Sequence, residues 1–226
     1  MATASRRITR KQLRQPDWFQ VTSEKAIEYF EGHKAVVFSA SGALILILFG
    51  MWSWQAFKER QDSAAGREFT RAVELYQGVK YPQAITAFEK VQTYRWSRFA
   101  GLAHLYQANI YLATSDLDKA LSSAQRAVMA TKQDTLYRQL ALIALASAEE
   151  RKNQCKSAIE HFSEAQKIAG ALQSNALLGK ARCAEQLGDK SAVIAAYKEY
   201  LKENPGSSLS LKLAELEANA LSTRAK

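Results

Sequence analysis

Cys155-Lys-Ser-Ala158-Ile-Glu-His-Phe162-Ser-Glu-Ala165 sets a small residue, an aromatic four positions later and a second small residue three beyond that. Spacings of four and three fall on one face of an α-helix, so Ala158, Phe162 and Ala165 make a stripe with one large ring between two small side chains. The frame recurs on both sides of this stretch. Leu117-Asp-Lys-Ala120-Leu-Ser-Ser-Ala124-Gln-Arg-Ala127 repeats it with a smaller partner, and Tyr81-Pro-Gln-Ala84-Ile-Thr-Ala-Phe88 repeats it with phenylalanine. Downstream, Gly188-Asp-Lys-Ser-Ala-Val193-Ile-Ala-Ala-Tyr197 carries valine in the small position, and Asn204-Pro205 stops the helix. Each copy follows another helical stretch with a small residue at a fixed place: Ala72, Ala108, Ala146 and Ala181. Ala84, Ala120, Ala158 and Val193 lie 36, 38 and 35 residues apart. Periods of that size mark stacked helical repeats, because each pair of helices buries its apolar face only against its neighbours.

The expected architecture is all-α: an α-solenoid of about four helix pairs, near residues 65–96, 101–132, 139–170 and 174–205. A last helix at 207–221 has Leu209, Leu213, Leu216 and Ala220 on one side, as a solubilising cap requires. At these residues the chain resembles the tetratricopeptide repeat, in which two antiparallel helices approach closely where side chains are small and an aromatic fills the gap beside them. Repeats two to four match well. The first departs from the pattern at Arg71 and Val91. Spacings above the usual 34 imply longer turns around 93–98 and 131–135.

Repeat arrays bind partners. The first-helix positions expected on the concave side include Tyr76, Leu105, Tyr106, Asn109, Leu112, Ile143, Ser147, Glu150, Leu178, Arg182 and Gln186. This set mixes apolar and polar groups without a dense Lys/Arg clamp, which suits extended or partly unfolded polypeptide better than one acidic motif. The Leu, Ile and Tyr members have the alternative of packing on neighbouring helices.

Outside the repeats, residues 35–57 read AVVFSASGALILILFGMWSWQAF and hold no charge. About 20 apolar helical residues cross a hydrocarbon core. Trp52, Trp54 and Phe57 stand where an interfacial aromatic belt belongs. A core helix would carry a polar stripe. A cleaved signal peptide would have a shorter leading region, and the nearest small-residue site, Ser63-Ala64-Ala65, lies well beyond the apolar run. The segment is therefore expected to be a single-span anchor, preceded by a basic tail (residues 1–34) and followed by the repeat domain (residues 58–226). Seven Lys/Arg precede it, whereas Lys58, Arg60, Arg67 and Arg71 follow closely, a bias that favours a cytoplasmic N-terminus. Within the tail, SRRITRKQLR can lie on anionic headgroups. Ser23 is the expected N-cap of a short amphipathic helix with Ala26, Ile27 and Phe30 on one face.

Composition narrows the function. The net charge of +9 is a mild excess, and no basic block is interleaved with stacking aromatics, so no nucleic-acid partner is expected. His33, His104 and His161 lie on separate segments without ligand-spaced Asp, Glu or Cys, and no nucleotide, hydrolase or zinc-protease fingerprint occurs. The chain is expected to have no catalytic residues, no metal and no cofactor, and not to be an enzyme. Cys155 and Cys183 match no zinc pattern. In the repeat frame they fall at the same edge of the solenoid, where they either pair in an oxidising compartment, worth roughly 3.5 kcal/mol in the chain-entropy model, or serve as two small core residues.

The plan of short tail, single anchor and small repeat domain resembles the YfgM-like ancillary proteins of the bacterial Sec translocon. The likeness is clearest at Ser97-Arg-Phe-Ala100-Gly-Leu-Ala103-His-Leu105-Tyr-Gln-Ala108. The resemblance implies an inner-membrane protein with a periplasmic repeat domain. Its implied partners are translocon subunits, nascent or unfolded polypeptides and periplasmic chaperones. A structural scaffold for cell-division or outer-membrane assembly, and a cytosol-facing receptor on an organelle membrane, are the other classes this architecture serves.

Overall fold

The computed structural model describes residues 22, 23, 27–29, 31–131 and 135–224. Among them the helices are α1 (Lys34–Gln77), α2 (Tyr81–Gln92), α3 (Arg98–Ala113), α4 (Leu117–Ala130), α5 (Thr135–Arg151), α6 (Cys155–Lys167), α7 (Gln173–Gln186), α8 (Lys190–Glu203) and α9 (Leu209–Arg224). The chain divides after Phe57 into two units.

The repeat unit is organised by one turn used four times. Val79 (φ 58°), Ser115 (φ 63°), Asn153 (φ 60°) and Gly188 (φ 74°) all sit in the left-handed region. Each is the middle residue of a three-residue connection inside a repeat. The residue after it donates its N–H five residues back: Lys80 to Leu75 and Asp116 to Tyr111 at 2.9 Å, Gln154 to Glu149 at 2.8 Å, Asp189 to Ala184 at 2.9 Å. This Schellman closure satisfies orphan carbonyls and reverses the chain. Asp116 and Asp189 then cap the next helix, their carboxylates accepting from the N–H groups of Lys119 and Ala192.

Between repeats the connections are longer. The first is residues 93–97, with Ser97 capping α3 through the Phe99 N–H. Residues 132–134 lie outside the described chain. A further long connection at 168–172 was not expected from the spacing. It is held by Gln139, a fully buried side chain whose Nε2 donates to the carbonyls of Ala165 (3.0 Å) and Ile168 (2.9 Å).

Packing follows the small-residue frame. Ala72, Ala84, Ala108, Ala120, Ala146, Ala158, Ala181 and Val193 are all buried, as are the rings of Phe88, Phe162 and Tyr197. Among the described residues four apolar clusters result. The first joins α1 to α3 around Phe88, and the last joins α7 and α8, against which Leu209, Leu213 and Leu216 of α9 pack. Close approach is most severe at Gly179, where an added Cβ would stand 2.4 Å from the buried ring of Phe162. First helices also touch across repeats, α3 with α5 and α5 with α7, so they line one continuous side of the array. The chain thus adopts the expected all-α repeat solenoid with a capping helix.

In the N-terminal unit, Leu44 to Phe49, Met51, Trp52 and Trp54 are exposed around the helix. This helix is long and apolar enough to cross a membrane. Thr22 and Ser23 are both helical, so Ser23 stands inside a helix rather than at its cap. Residues 1–21, 24–26 and 30, which include most of the basic tail and two of the three residues of its amphipathic face, lie outside the described chain.

Candidate protein-binding face

Because first helices contact one another directly, the residues along their outer side form the surface available to a partner. The expected positions divide into three groups there. Leu105 is 5 % exposed and packs within the cluster of Ala108, Ala124 and Leu145. It is core, and the candidate face loses it: helix α3 is buried on more than one side, between α4 and the neighbouring first helices, which a single-helix pattern does not reveal.

Tyr76, Tyr106, Ile143 and Leu178 are half-buried, with one side of each in the core. Tyr106 stacks on Phe88 at 5.3 Å and meets Tyr76 edge-on at 5.3 Å, so the two phenols form the outer layer of an aromatic cluster with Phe69 and Phe99. Burial, reinforced by Tyr76 and Tyr137, holds the Tyr106 hydroxyl above its ordinary pKa, so it stays a neutral donor at physiological pH.

Asn109, Ser147, Glu150, Arg182 and Gln186 supply the polar part, with the half-buried aliphatic Leu112 beside them. Asn109 and Ser147 are half-buried and Gln186 is exposed. The Arg182 guanidinium grips Glu150 with two hydrogen bonds, 2.7 Å from Nε and 2.8 Å from Nη2, and joins α5 to α7. Those bonds raise the pKa of Arg182 further above its already high value. A bidentate Arg–carboxylate pair fixes the relative position of two helices as well as adding energy. It also neutralises the charge, so the centre of the face presents no free cation or anion from this pair.

Sequence reading missed several side chains that tie the helices behind this surface together. Arg151 reaches back from α5 to the carbonyl of Leu112 and, at 3.0 Å, to Ser115 Oγ, closing the C-terminal end of α3. Leu112 therefore contributes through its backbone carbonyl as well as its side chain. Gln107, buried at 5 %, donates to the Ile85 carbonyl and accepts from Gln92 at 2.6 Å. His161 pairs with buried Glu149 at 2.7 Å. Glutamine and arginine are common on solvated helices, and nothing in their spacing marks them as cross-helix ties.

The face holds aromatic edges, aliphatic side chains and amide or hydroxyl groups on a rigid support. Such a surface can offer apolar contacts and hydrogen bonds to a protein partner. The tetratricopeptide repeat-like domain family matches residues 28–222, a span that takes in the apolar segment as well as the repeat helices. No curated protein matches the chain. Domains of this family typically act as protein-interaction modules. Four helix pairs closed by the same left-handed turn, stacked on a shared small-residue frame and covered by that match, place the chain in the tetratricopeptide repeat-like domain family.

Proposed function

We propose that this chain is a membrane-anchored repeat protein of the bacterial inner membrane whose first-helix face, in the periplasm, holds extended or partly unfolded polypeptide. The observation that carries the reading is the makeup of that face: half-buried Tyr76, Tyr106, Ile143 and Leu178 alternate with Asn109, Ser147 and Gln186, while the one strong charge pair is internally satisfied. Apolar edges beside uncharged hydrogen-bonding groups take many sequences weakly and none by charge.

Location then supplies selectivity. A single span near the N-terminus raises the local concentration of a weak binder at one membrane site. The seven Lys/Arg before the span support an N-terminus in the cytoplasm. Together with the resemblance to the YfgM-like proteins, this supports a role beside the Sec translocon, handing emerging chains to periplasmic chaperones.

Two experiments test it. A C-terminal reporter active only in the cytosol should be silent, and its activity would overturn the orientation. Photo-crosslinking from Asn109 and Ser147 should capture translocon subunits together with many different exported chains. A single stoichiometric partner captured from both positions would instead make the protein an envelope scaffold.

A further inference from the structure

We propose that Cys155 and Cys183 are a disulfide-forming pair that staples the third repeat to the fourth. Cys155 is the first residue of α6, and Cys183 lies near the end of α7, so the antiparallel arrangement brings both to one edge of the array. Their Sγ atoms stand 2.6 Å apart although the residues are 28 positions apart in sequence. A disulfide needs about 2.05 Å, so the two sulfurs are already close to bonding distance. Both thiols are buried, within the cluster of Leu142, Ala146, Ala158 and Phe162.

A frame that asks only for small residues is met by alanine, which it uses freely elsewhere. Cysteine at both members of one contacting pair, in a chain whose other small core positions are almost all alanine, is the feature that alanine packing does not account for. Burial pushes the Cys183 thiol up, and its hydrogen bond with Cys155 adds to it. Cys155 also reaches Gln186 Oε1 at 3.0 Å. Neither sulfur is therefore an accessible nucleophile once the repeats have closed. The bond forms while α6 and α7 are still opening and closing, and afterwards the same burial keeps reductants out.

The step needs a disulfide donor, either a small-molecule disulfide or an oxidoreductase. The Cys155 thiolate attacks one donor sulfur; a mixed disulfide forms and the donor's first thiolate leaves. The Cys183 thiol loses its proton and attacks Cys155 Sγ, displacing the donor's second thiolate. Two protein thiols are oxidised, one donor disulfide is reduced to two thiols, and the two protons end on those thiols.

The proposal rests on the periplasmic reading only for its occurrence in the cell, so the test has two arms. In the first, full-length protein in detergent is reduced, opened with denaturant and returned to native buffer containing oxidised and reduced glutathione. The expected product has no free thiol, no glutathione adduct and a mass lower by two hydrogens. Reducing it in denaturant and refolding it with the reductant present should lower its Tm by about 10 °C. Two free thiols, or a persistent glutathione adduct, would overturn the pair. A Cys183→Ala variant should retain glutathione on Cys155; the wild-type measurements stand even where that variant fails to fold. In the second arm, cells are quenched in acid and the thiols alkylated before reduction. Blocked thiols support both readings. A pair that closes in glutathione but is reduced in the cell supports the pair and overturns the periplasmic placement.

Discussion

At the scale of single residues, the four turn centres carry the same backbone conformation with unequal chemistry. Gly188 takes a positive φ without a steric penalty and Asn153 tolerates it, but Val79 is β-branched and 66 % exposed. The left-handed conformation costs an L-residue about 1–2 kcal/mol, and glycine returns part of that in backbone entropy. Val79→Gly should therefore stabilise the domain by about 0.5–1 kcal/mol, seen as a rise in denaturant midpoint at constant slope. His104 sets a pH dependence. Its Nδ1 is buried with no hydrogen-bond partner among the described residues, and burial, aided by Arg126, lowers its pKa below the ordinary 6.5. Above pH 6.5 the ring is neutral folded and unfolded. Below it the unfolded chain takes the proton first, so stability falls as pH drops from 6.5 toward the lowered folded value. His104→Gln should flatten stability between pH 7 and 5; an unchanged slope would assign that dependence to other groups. The left-handed residues were not legible beforehand, since valine, serine and asparagine share no turn signature and only Gly188 announces itself.

At the scale of helices, the stripe of small and aromatic residues was legible because every member faces the same neighbour. Gly179 was not, because the partner that demands it, Phe162, belongs to the preceding repeat. Gly179→Ala adds a methyl where the ring already stands. Overpacking of about 1–3 kcal/mol opposes a helix-propensity gain of about 1, and thermal unfolding should show a net loss of up to about 2 kcal/mol. The Arg182–Glu150 tie makes a second prediction. Its arginine is half exposed, so solvent screens it, and a double-mutant cycle should return a coupling of about 0.5–1 kcal/mol that shrinks in high salt. The removal of Leu105 from the binding face has the same origin as the missed glycine. A helix packed on two sides hides its second buried stripe from any pattern counted on one.

At the scale of the whole molecule, the sequence told an apolar segment from a repeat array because the two differ in charge as well as in period. Which compartment receives the repeats rests on the charge bias across residues 35–57, a margin of seven Lys/Arg against four. A chain carrying only residues 58–226 should unfold cooperatively, since its clusters are complete without the apolar segment. Loss of cooperativity by calorimetry would show that the first repeat depends on the segment before it. The central claim joins the two units: a generic polypeptide-binding face becomes selective because it is held at the membrane. It is tested most directly by photo-crosslinking from Ser147, comparing the anchored chain with residues 58–226 exported to the same level. The anchored form should capture many exported chains together with translocon subunits, and the free form should lose most of that yield. Equal capture by the untethered domain would contradict the claim.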